Sequence, residues 1–120
     1  MKLLCLLLFL PVLFTSTLGQ IVINEYSGAN ISNSVDGFGQ NEDWVELYNQ
    51  SGADIDISGW FLSDKAGNIG KFQIQTGIVP ANGYTMVYCS GRATTAGSDI
   101  HTNFKLTQTK PEKFIIADNG

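Results

Sequence analysis

Beyond residue 20, apolar side chains recur at every second position in short runs, and nowhere at the three-and-four spacing of a helix. Asp54-Ile-Asp-Ile57 shows it most plainly, with Ile55 and Ile57 on one side and both carboxylates on the other. Asp43–Asn49 places Val45 and Leu47 on one face and Trp44, Glu46 and Tyr48 on the other. Lys71–Gln75 turns Phe72 and Ile74 inward. Further strands are expected over 21–26, 60–62, 84–90 and 113–118, with a short one near Phe104 and Leu106. Tyr84–Ser90 is apolar on both faces, which suits the middle of a sheet.

Turn-forming clusters separate these runs. Residues 27–42 read as a long surface loop, 50–53 and 64–68 as turns, and 91–99 as a polar loop. Ile78–Gly83 reads as a turn closing on Asn-Gly, a strong reversal signal. Short strands without intervening helices predict an all-β protein, an antiparallel sandwich or barrel. The chain ends on Asp118-Asn119-Gly120, a hairpin turn with no strand after it, so the expectation is a domain truncated at its C-terminus.

The first 19 residues stand apart. Met1-Lys2 precedes an apolar run, Leu3–Phe14, too short for an ordinary membrane-spanning helix. Small and polar residues follow, with Thr17 and Gly19 at the −3 and −1 positions of a cleavage site. This is the layout of a secretory signal peptide, with cleavage near Gly19/Gln20 and no stable membrane span afterwards. The domains are therefore 1–19 signal peptide and 20–120 sandwich. Cys5 leaves with the signal, so Cys89 alone remains and no internal disulfide can form. Its apolar neighbours predict a buried small hydrophobe rather than a nucleophile.

Charge bounds the partners. Only 15% of residues are charged and 43% are hydrophobic, a balance that suits a packed domain. The net charge of −4 becomes −5 once Lys2 is removed. Eight acids and no base lie between Gln20 and Asp64, whereas six bases and three acids follow from Lys65. An acidic front half repels phosphate, so no nucleic-acid partner is expected. The two halves are expected to neutralise each other across the fold.

Five motifs occur in one order: Ile-Val-Ile-Asn-Glu-Tyr (21–26), Asp-Trp-Val-Glu-Leu-Tyr-Asn (43–49), Asp-Ile-Ser-Gly-Trp-Phe-Leu-Ser-Asp (56–64), Ile-Val-Pro-Ala-Asn-Gly-Tyr (78–84) and His-Thr-Asn-Phe-Lys-Leu (101–106). In this the chain resembles the lamin-tail domain family, of the secreted bacterial type, over essentially all of 20–120; the family's closing strands are absent. The resemblance implies an immunoglobulin-like β-sandwich. It also implies a non-catalytic module that binds or tethers a protein or cell-surface partner, placed at the front of a larger multidomain protein.

Asn24, Glu25, Asp43, Glu46 and Asn49 match the family's recurring polar positions. Their amide and carboxylate groups are expected to bond loop backbone and strand ends. Glu25, Asp43 and Glu46 are also hard oxygen donors, which makes them the candidates for a calcium site. The loop 36–43 resembles a calcium loop in composition but lacks the Asp-x-Asp-x-Asp-Gly spacing. Glu25 with Glu46 could form a hydrolytic carboxylate pair only across a cleft. His101, the single histidine, is expected in a loop with a backbone hydrogen bond; a Ser-His-Asp arrangement would recruit Ser90 or Ser98 with Asp99. No Gly-x-Ser-x-Gly elbow is present. Asn30-Ile-Ser32 and Asn49-Gln-Ser51 fit the glycosylation triplet. Trp44 and Tyr48, if exposed together, could stack on a sugar ring. The expected reading is therefore not an enzyme, with no cofactor. Two alternatives stay open: a calcium- or carbohydrate-binding module, and the accessory domain of a secreted enzyme whose catalytic part lies beyond Gly120.

Overall fold

The computed structural model describes residues 20–28, 34–96, 99–107 and 113–120; the signal-like segment and Asn30 fall outside them. Within these residues the chain is all-β, with ten strands and no α-helix. Five strands build the larger sheet in the order β1 (Ile21–Ser27), β2 (Trp44–Asn49), β7 (Tyr84–Tyr88), β9 (Asp99–His101), β8 (Thr95–Ala96). As its two apolar faces required, β7 is the central strand.

The opposing layer contains β10 (Ile115–Ala117), β4 (Phe61–Ser63) and β5 (Phe72–Gln73), together with the pair β3 (Ile55–Asp56) and β6 (Ile78–Val79). These two small sheets are one ladder with an irregular middle. Between them Ile57 N donates to Gly77 O, Gly59 N to Ile74 O and Ile74 N to Trp60 O, at 2.7–2.9 Å. Gly59 has φ +83°, a conformation costly for any residue with a Cβ, and it marks where the ladder bends.

The core lies between the layers. Val45, Leu47, Val87 and Ile100 from the larger sheet share it with Ile55, Ile57, Trp60, Leu62, Ile74 and Val79, while Phe72 packs against its side. All six side chains expected inward from alternation are therefore in or against the core. Cys89 is buried there too. Charge neutralisation also joins the halves, through Lys71–Asp64 at 2.6 Å and Lys105–Glu42 at 3.8 Å.

Three local expectations need correction. Ile78-Val79 is strand rather than turn, because its partner is the distant Ile55-Asp56. The reversal is real, with Gly83 N on Pro80 O and Asn82 at φ +50°. It passes the chain from one layer to the other rather than closing a hairpin, since β6 pairs with β3 and β7 with β2 and β9. The loop 91–99 contains β8 and the first residue of β9. β9 inserts between β7 and β8 and runs parallel to β7, the one departure from antiparallel pairing among the described strands.

Candidate functional site

Alternation in β2 leaves Trp44, Glu46 and Tyr48 on the face away from the core. Register sets three cross-strand rows there: Ser27, Trp44 and Tyr88; Glu25, Glu46 and Met86; Val22, Tyr48 and Tyr84. An irregularity between Ile23 and Glu25 gives β1 one extra residue, Asn24. Its amide donates to Glu46 Oε1 at 2.8 Å. Such a bulge re-aims the side chains that follow it, and here it brings Glu25 opposite Glu46.

One end of this face is covered. Residues 34–40 fold back over it in a tight loop, with Asp36 N on Gln40 O and Gly39 N on Asp36 O. Asp36 Oδ1 accepts from the amides of Phe38 and Gln40, both at 2.9 Å, and Asp99 Oδ2 accepts from Gly37 N. The Tyr88 hydroxyl meets Ser34 Oγ at 3.0 Å, and its ring stacks on that of His101 at 5.4 Å. Phe38 packs edge-on against the same imidazole, and the Arg92 guanidinium lies 4.3 Å from the Phe38 centroid.

His101 is therefore not a loop residue. It belongs to β9, is fully buried, and its Nδ1 lies 3.0 Å from Ser90 Oγ and 3.9 Å from Asp36 Oδ2. The strand was hidden in the sequence because its partners are β7 and β8, not an alternating local pattern. Serine, histidine and aspartate do converge, but through Asp36 rather than Asp99; Ser98 lies outside the described residues. The geometry is not that of a nucleophilic triad. Such a triad uses opposite ring nitrogens for serine and aspartate, whereas here both groups approach Nδ1. All three side chains are buried, so no substrate reaches them.

The other end of the face is open. Tyr48 and Tyr84 stack at 4.8 Å with 23° between their planes, and Tyr84 is 53% exposed. The Trp44–Tyr48 platform does not form, because Trp44 is buried. Beneath β1, on the core side, an apolar groove of about 210 Å³ is lined by Ile23, Tyr26, Val45, Leu106 and Phe114.

The remaining polar positions disperse. Asn49 is fully buried; its amide donates to Ala53 O and Val79 O while its Oδ1 accepts from the backbone and hydroxyl of Ser51. That is strand-end and loop bonding, and it also closes the second glycosylation triplet to modification. Asp43 precedes β2 and its carbonyl accepts from Cys89 N. Glu25 and Glu46 face each other, and among the described residues no group of three His, Cys, Asp or Glu could hold a metal ion.

The sequence model of the lamin-tail domain matches residues 15–120. The chain belongs to the lamin-tail domain family. No curated protein and no solved structure matches it. The motifs that carry the lamin-tail resemblance touch one another in space: Asn24 of the first bonds Glu46 of the second, and Asn49 of the second bonds Val79 of the fourth. In the third, Ser63 Oγ donates to the carbonyls of Lys65 and Asn68 and holds the turn after β4. The lamin-tail sandwich thus uses Asn24, Asn49 and Ser63 as internal ties. Glu25, Glu46, Tyr48 and Tyr84 are left facing outward.

Proposed function

We propose that this lamin-tail domain is a secreted module that binds or tethers a protein or cell-surface partner and has no catalytic residues of its own. The observation that carries the reading is the family match over residues 15–120, joined to a fold in which the Ser-His-Asp convergence among the described residues is sealed and wrongly arranged for catalysis. Secretion is supported by the charged start, the apolar run Leu3–Phe14 and the small residues at Thr17 and Gly19. The acidic stretch from Gln20 to Asp64 argues against nucleic acid as the partner.

The test is fractionation of the producing cells with mass spectrometry of the product. A polypeptide beginning at Gln20 and recovered outside the membrane, bound to the cell surface, is the expected result. An intact Met1 start in the cytoplasmic fraction would overturn it. Calorimetry with calcium and a glycan array are expected to be flat; saturable heat or a specific glycan would favour the alternative of a calcium- or carbohydrate-binding module.

A further inference from the structure

Glu25 and Glu46 stand directly opposite each other across β1 and β2, on one face. Like charges so placed destabilise a sheet. Two acids elsewhere are paired with lysines, in Lys71–Asp64 and Lys105–Glu42. Among the described residues no base pairs with Glu25 or Glu46. The next row along the same face is the Tyr48–Tyr84 stack, whose outer ring is half exposed. Opposite Glu46 in the carboxylate row sits half-buried Met86, a polarisable side chain that accommodates varied contacts. Negative carboxylates beside electron-rich ring faces share one complement, a cation that can lie flat. A guanidinium stacks on aromatic rings and bonds carboxylates in bidentate fashion, which an ammonium cannot do.

We infer that the open face of β1, β2 and β7 docks an extended, arginine-bearing segment of a partner protein. The inference rests on the binding-module reading above and names its partner's chemistry. Glu46 and Tyr48 are two residues apart on one strand, about 7 Å, the same interval at which an extended peptide repeats its side chains on one face. An Arg-x-Arg segment therefore sets one guanidinium on the carboxylate row and the next on the rings. A sugar's hydroxyls can donate hydrogen bonds to the carboxylates, but they leave the opposed negative charges unneutralised.

The experiment titrates the full chain with blocked Thr-Arg-Thr-Arg-Thr, following backbone amide shifts and binding heat. Blocked Thr-Lys-Thr-Lys-Thr and cellohexaose are the comparison ligands. Shifts confined to β1, β2 and β7 are expected, with weaker binding of the lysine peptide and none of cellohexaose. Tyr84→Ala should weaken Kd about 2- to 5-fold, and Glu25→Gln with Glu46→Gln about 5- to 10-fold. Asp56→Asn removes one negative charge elsewhere and should change Kd less than about 2-fold. Glu25→Gln alone should raise the unfolding midpoint of the unliganded chain, because it relieves the opposed charges, and this reports folding of the variant as well. Absent peptide shifts, equal weakening by Asp56→Asn, or cellohexaose shifts at Tyr84 would overturn the proposal. Surface retention separates the two readings. Wild type retained equally with the double glutamine variant removes this face as the tether but keeps the module. Wild type not retained removes tethering, and the titration then decides the face by itself.

Discussion

Asn49 shows how much one buried amide can do. Its side chain joins the end of β2 to the following turn and to Val79 on the opposing layer, meeting two carbonyls and two donors of Ser51. Asn49→Ala strands those groups in a dry interior, and a loss of about 2–4 kcal/mol is expected in urea unfolding. A loss below about 1 kcal/mol would mean that water enters and replaces the amide. That these polar types favour loop and strand-end bonding was legible from chemistry alone. His101 was not, because nothing within a few residues of it announces Phe38, Tyr88 or Asp36 as its surroundings. A lone histidine beside a polar loop looks the same whether the loop leaves it in water or folds over it.

Among elements, β2 and β7 differ from the rest. Both lie inside the larger sheet, and Val45, Leu47 and Val87 are fully buried on their core face. β10 has three residues, all half-buried, at the edge of its sheet. Opening free energy follows such differences. Native-state hydrogen exchange should find the slowest amides in β2 and β7, near the global unfolding free energy, and faster exchange in β10. Equal protection of β10 would show that its edge is bound more firmly than its contacts suggest. Alternation located β2, which is long enough for its period to show, and two apolar faces located β7. Alternation did not locate β6, β8 or β9, which sit among Gly, Pro, Thr and Ser turn signals, whereas the equally short β3 and β5 lie within longer alternating runs. Without such a run around it, a strand of two or three residues is defined by its partner rather than by its own pattern.

At the scale of the molecule, two layers enclose one core, and each carries a reporter. Trp44 lies on the outer side of the larger sheet and Trp60 in the core beside β4. A small sandwich with a shared core is expected to unfold in one cooperative step. Trp44→Phe and Trp60→Phe should therefore each show a fluorescence transition whose midpoint matches that variant's own far-ultraviolet dichroism. An earlier transition at Trp44 would reveal that the loop 34–40 opens before the sandwich melts.

The sequence by itself determined the all-β class, the inward set Val45, Leu47, Ile55, Ile57, Phe72 and Ile74, the central place of β7 and the lamin-tail family. All of these follow from side-chain period and local motif, which are properties of neighbours along the chain. Only tertiary structure decided that Asp36 rather than Asp99 approaches His101, that Trp44 is covered while Tyr84 is bare, and that Glu25 faces Glu46. Those outcomes depend on a bulge, a folded-over loop and a parallel pairing. Each is set by contacts between residues far apart in sequence, and no local spacing encodes them.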